Sequence, residues 1–170
     1  MSPRAAWRLE TMGFGEVYDY GSGKQDWLAA GLPIEGRVAS WPRAGTVARP
    51  DAPTCALEDR LGQVAERVRA AGWGVCVVVS EERVVLGLLR GEQLEGDPST
   101  PIEEAMRPGP STFRPHVPIA EMARYMVEHD LPSAPITTGD GILVGVLRRE
   151  DAAEAALEWQ RRHGEEHDHG

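Results

Sequence analysis

Arg148, Arg149 and Asp151 fall within four consecutive residues of a 170-residue chain, at the predicted start of its last helix. A carboxylate so placed can accept two hydrogen bonds from the vicinal hydroxyls of a ribose, and guanidinium groups beside it can neutralise phosphates. The same residues have plainer uses. Asp151 with Glu154 reads D-x-x-E, which caps a helix without any ligand, and Arg148 can form a surface salt bridge with Glu150 or Glu154.

Other reactive side chains point nowhere specific. His163, His167 and His169 stand among acidic residues near the C-terminus, where a polar tail solvates them more readily than it builds a metal site. No Ser-His-Asp group, glycine-rich phosphate loop or catalytic carboxylate pair can be assembled, so the expectation is a protein that is not an enzyme and needs no cofactor or metal. Cys55 and Cys76 are the two cysteines. Neither lies in a C-x-x-C, and Cys76 sits in the apolar run VCVVV. They read as buried, reduced thiols, which suits a cytoplasmic location.

A net charge of −9 argues against nucleic acid as a partner, because a phosphate backbone calls for clustered Lys and Arg. No apolar run approaches the roughly 18 residues of a membrane span, and no signal-like stretch opens the chain, so no membrane association is expected. With 41% hydrophobic and 26% charged residues, the composition is that of a globular protein able to bury a core.

The elements that must position these side chains occur twice. At an offset of 58 residues Arg49-Pro50 falls on Arg107-Pro108, Thr54 on Thr112, Ala65 on Ala123, Gly87 on Gly145 and Arg90 on Arg148. Apolar positions coincide as well: Leu61 with Ile119, Val64 with Met122, Val68 with Met126, and 84–89 with 142–147. Each copy reads as strand, helix, strand, strand, helix, an α+β fold with pseudo-twofold symmetry. Leu57, Leu61, Val64 and Val68 form the first helical stripe, and Gly72 ends that helix. Thr100-Pro101-Ile102-Glu103 reads as a capping box opening a short helix to Met106. Gly139-Asp140-Gly141 supplies the second hairpin turn, and the last helix is predicted over 152–162.

Residues 1–36 read as helix, strand, helix, with Ser2, Ala5, Ala6, Leu9, Gly13, Phe14, Gly23, Trp27, Ala30, Gly31 and Pro33 meeting the pattern S-x-x-A-A-x-x-L-x-x-x-G-F, then G-x-x-x-W and A-G-x-P. This segment resembles the last third of a rhodanese domain. That family's sulfur-carrying Cys would lie just upstream of Ser2, where this chain begins, so sulfur transfer is not supported. A sulfurtransferase fragment with a misplaced start is the enzyme-class alternative.

Met106-Arg107-Pro108, Thr112, Ala120-Glu121, Met126, Glu128-His129-Asp130, Pro135, Gly145 and Asp151 resemble the pattern of a cystathionine-β-synthase (CBS) domain. The two copies together, about 44–158, resemble a tandem CBS pair, or Bateman module. The first copy departs from the pattern with Val77 in place of Pro and Gln93 in place of Asp; the second has Arg148 where the family has Thr or Ser. The expected division is a rhodanese-like element at 1–36, a linker at 37–45, repeats at 46–98 and 99–160, and a disordered tail at 161–170.

The resemblance implies a regulatory or sensor module that binds AMP, ADP, ATP or S-adenosylmethionine between its repeats. Asp151 would take the ribose, and Arg148, Arg149 and Arg114 the phosphates. Thr112 would sit beside the ribose or phosphate, with Phe113 and the backbone of Ser133, Ala134 and Pro135 around the adenine. It also implies a homodimer built through the helices. A degenerate pair that only dimerises or scaffolds is the structural alternative, and nothing in the chain points to a particular protein partner.

Overall fold

The computed structural model describes residues 8–17 and 41–164. Their α+β fold runs α1 (Ala44–Val47), β1 (Thr54–Cys55), α2 (Leu61–Ala70), β2 (Val75–Val79), β3 (Val85–Arg90), α3 (Ile102–Ala105), β4 (Arg107–Pro108), α4 (Ile119–Glu128), β5 (Ser133–Thr137), β6 (Leu143–Arg148) and α5 (Arg149–Gly164). The helix expected over 5–11 is present in its described part, 8–11, and Gly13 follows it in the left-handed region at φ 93°. The remainder of the rhodanese-like segment, including its strand, lies outside the described residues.

Both repeats build their first long helix in the same way. Helix α2 buries Leu61, Val64, Ala65 and Val68 along one stripe, and α4 buries Ile119, Met122 and Met126. Each ends in a left-handed residue that lets the chain turn back: Gly72 at φ 68° and Asp130 at φ 49°. Trp73 N then donates to the Val68 carbonyl at 3.1 Å, and Leu131 N to that of Met126 at 2.8 Å.

The hairpins follow, β2 antiparallel to β3 and β5 antiparallel to β6. Their tips meet. Val84 pairs antiparallel with Ile142, its own counterpart at the repeat offset, so this contact lies on the pseudo-twofold axis.

The segments that lead into each repeat change sides. Ala44 N donates to Val117 O at 2.8 Å and Ile119 N to Pro42 O at 2.9 Å, so α1 docks on the second repeat. Ile102 N donates to Asp59 O and Leu61 N to Thr100 O, both at 3.0 Å, so α3 docks on the first. Beyond them β4 pairs with Gly87 and Leu88 of β3, while Arg49 pairs with Val146 of β6. One core therefore holds Val64, Val77 and Leu89 together with Ile102, and the other holds Met122, Met126 and Ile136 together with Ala44. Cys55 and Cys76 are free and buried in the first core.

Four sequence expectations need correction. Part of the linker at 37–45 is structural, since Ala44 is fully buried at the head of α1. Thr100 does not cap α3: Pro101 stands at the N-cap and pairs antiparallel with Arg60. The first repeat closes with a 3-10 turn at Gly91–Glu95, where Gly91, Gly96 and Pro98 prevent a longer helix. Helix α5 begins at Arg149 and extends to Gly164, so it takes in the first part of the predicted tail. Its sequence REDAAEAALEWQRR is rich in strong helix formers. Residues 165–170 lie outside the described part.

Candidate functional site

The end of β3, the start of β4, the start of β5 and the C-terminal end of α4 enclose a cleft of about 690 Å³ lined in part by Arg90, Arg107, Phe113, Ser133, Ala134 and Pro135. Phe113 is held against β5 because its N–H donates to Pro135 O at 3.0 Å and its carbonyl accepts from Thr137 N at 2.9 Å. Its ring meets Tyr125 edge to face at 5.2 Å, and Tyr125 stacks on His129 at 3.9 Å. These rings form an aromatic wall of the same cleft that two guanidinium groups and the Asp130 carboxylate line. Neither Arg90 nor Arg107 has an ion-pair partner among the described residues.

A second cleft of about 540 Å³ lies beside the first and shares Arg90 and Ser133 with it. Trp73, Val75, Arg148 and Arg149 complete its walls. The Arg148 guanidinium lies 3.8 Å from the centre of the Trp73 ring and donates to Gly72 O at 3.3 Å. It also meets Glu150 at 3.5 Å, the salt bridge weighed from the sequence. Arg149 binds Asp130 at 2.9 Å. These two cations are thus engaged before any ligand arrives.

The predicted site residues separate. Phe113, Ser133, Ala134 and Pro135 converge in the larger cleft, and Arg148 and Arg149 line the smaller one. Thr112, Arg114 and Asp151 line neither. Arg114 reaches the other way, donating to Thr137 Oγ1 and Thr138 O at 2.7 Å each, and so pins the end of β5.

Asp151 is not a cap, because α5 has already begun two residues earlier. Both of its carboxylate oxygens accept from Arg49, Oδ2 from Nε at 2.7 Å and Oδ1 from Nη2 at 2.9 Å. This bidentate pair leaves the Asp151 side chain 14% exposed. It also raises the Arg49 pKa above its ordinary value, through the hydrogen bond first and the charge second.

Sequence reading missed Arg90, Arg107, Tyr125 and His129 in the larger cleft and Trp73 in the smaller. The repeat offset held the signal for two of them, since Arg90 is the counterpart of Arg148 and Arg107 that of Arg49. Among the described residues no group of three or more His, Cys, Asp or Glu is placed to hold a metal ion. No helix among them is long and apolar enough to cross a membrane.

Residues 97–158 match the CBS domain family. An uncharacterised Bacillus subtilis (strain 168) protein, YtoI, is 28% identical over 99 residues, 58% of this chain but 23% of that relative. The cytosolic domain of the Mg2+ channel MgtE, solved in complex with ATP, superposes with a TM-score of 0.61 at 25% identity, over 69% of this chain and 50% of that one. The CBS domains of a transcriptional regulator from Streptococcus pneumoniae give 0.61 at 22% identity, over 66% and 97% of the two chains. CBSX2 in complex with AMP gives 0.63 at 18% identity, over 70% and 98%. The structural neighbours are thus CBS-pair proteins, and this chain spans about a quarter of the curated relative's length and half of the channel domain's.

Proposed function

We propose that the chain is a non-catalytic regulatory module that binds an adenosine-containing ligand, AMP, ADP, ATP or S-adenosylmethionine, in the cleft between its repeats. The observation that carries this reading is the larger cleft itself, where an aromatic wall and a strand edge share the lining with two guanidinium groups that have no carboxylate partner among the described residues. Phe113 and the backbone of Ser133, Ala134 and Pro135 would receive the base, and Arg90 and Arg107 the phosphates. The ATP held by the MgtE cytosolic domain supports a ligand of this class.

Ligand binding would act on function through differential affinity for two arrangements of the repeats. The exposed side chains of Tyr125 and Val127 on α4 and Leu157 on α5 support a homodimer formed through these helices. Calorimetric titration with the four ligands, beside Phe113→Ala and Arg107→Ala, tests the reading. Saturable binding weakened by both substitutions supports it, and no heat with any ligand sinks it.

One observation favours a second reading. The Arg49–Asp151 pair satisfies the carboxylate to which the resemblance assigns the ribose, as a pair that only dimerises or scaffolds would allow. A stable dimer that binds none of the four ligands would establish that reading.

A further inference from the structure

Arg49 and Arg107 are counterparts at the repeat offset, yet they face different chemistry. The partner of Arg49 is Asp151, through bonds of 2.7 and 2.9 Å. At the position corresponding to Asp151 the first repeat has Gln93, whose Oε1 accepts the Arg90 backbone N–H at 3.1 Å. Gln93 carries no charge, so Arg107 has no ion-pair partner among the described residues. It lines the larger cleft together with Arg90, which is likewise unpaired.

Two guanidinium groups that line one cleft without an ion-pair partner can each donate to an anion placed there, and the one carboxylate in that lining, Asp130, is engaged by Arg149 at 2.9 Å. The rest of the molecule offers anions little, since its net charge is −9 and a third cleft, beside β1, is lined by Glu58, Asp59, Glu81 and Glu82. At Asp151 a diol would have to displace Arg49 from both carboxylate oxygens.

We infer that the chain takes one ligand, not two, and recognises it in the larger cleft by its phosphate charge on Arg90 and Arg107, with no carboxylate gripping its ribose. This rests on the nucleotide reading above and narrows it. The ligand is a nucleotide whose phosphates are required. Neither a nucleoside nor S-adenosylmethionine, whose sulfonium would face the two guanidinium groups, meets the requirement.

The test is calorimetry on the full chain with ATP, AMP, adenosine, S-adenosylmethionine and inorganic tripolyphosphate, repeated on Arg107→Ala and Asp151→Asn. The inference expects about one ATP per chain, competition by tripolyphosphate, and adenosine and S-adenosylmethionine weaker by at least roughly 10-fold. Arg107→Ala should weaken ATP by roughly 10- to 100-fold, the loss of charge-assisted hydrogen bonds, and Asp151→Asn should leave its affinity unchanged. Melting curves of each variant separate lost contacts from lost folding.

Adenosine or S-adenosylmethionine binding as tightly as ATP would overturn the inference while the adenosine-ligand reading stood. So would two ATP per chain, or binding abolished by Asp151→Asn in a folded protein. Arg107-dependent binding of tripolyphosphate without any nucleotide would keep the anion site and sink the adenosine reading. No binding by any of the five ends both.

Discussion

A Cβ on Gly145 would stand 2.7 Å from the backbone carbonyl oxygen of Arg49, beside the bridge that joins the segment leading into the first repeat to β6 of the second. Backbone cannot move aside as a flexible side chain can, so the glycine is what allows the crossed pairing to close. At Gly87, its counterpart, a Cβ would meet chiefly the flexible Met106 side chain, with the Arg107 carbonyl oxygen at 3.1 Å. Gly145→Ala should therefore cost about 1–3 kcal/mol, as overpacking does. Gly74→Ala, where a Cβ meets nothing within 4 Å, is the control. Urea denaturation of the two variants measures the difference, and equal midpoints would contradict the close approach.

The exchange of leading segments makes the two repeats one cooperative unit. Ile102 belongs by sequence to the approach to the second repeat but is fully buried in the core of the first. Ile102→Ala should destabilise by about 2–5 kcal/mol. The loss should shift a single unfolding transition followed by both fluorescence and circular dichroism. Two separated transitions, with only one displaced, would show that the lobes fold independently.

Arg114 is a structural cation in this geometry. Arg114→Met leaves the fully buried Thr137 hydroxyl and the Thr138 carbonyl without this donor, at a cost of about 1–3 kcal/mol. Nucleotide affinity should stay the same. A variant of unchanged stability that loses nucleotide affinity would place Arg114 on the phosphates instead.

His116 ties stability to mild acid. Burial, then the charges of Arg43 and Arg114, push its pKa below the ordinary 6.5, against the weaker opposing pull of Glu121. The folded state takes up this proton less readily than the unfolded chain. The contribution of His116 is therefore intact above about pH 6.5 and falls as the pH drops from there towards the lower folded pKa. Between pH 7.5 and 5.5 the wild-type melting temperature should fall more than that of His116→Gln. Parallel curves for the two proteins would rule the effect out.

The repeat, its helical stripes and its hairpins were legible in the sequence because each rests on local rules. Apolar residues at helical spacing, Gly72 after α2 and Gly141 in the second hairpin turn dictate backbone geometry within a few residues of themselves. Phe113 and Ser133 to Pro135 could be grouped from the sequence because they belong to one repeat and their neighbours are set by the pairing of adjacent strands.

Tertiary structure alone decided which repeat each leading segment serves, and with that which residues share a cleft. Arg90, Arg107 and Phe113 share a cleft because β4 crosses to β3, and Asp151 lies outside it, bound by Arg49, which crosses to β6. The physical reason is that an ion pair between residues 102 positions apart depends on long-range packing, which no local pattern encodes. The residue types alone determined the kinds of groups available for binding, a carboxylate, several guanidinium groups and an aromatic ring. The crossing of the chain determined that the carboxylate would neutralise one arginine while its counterpart was left to face the cleft.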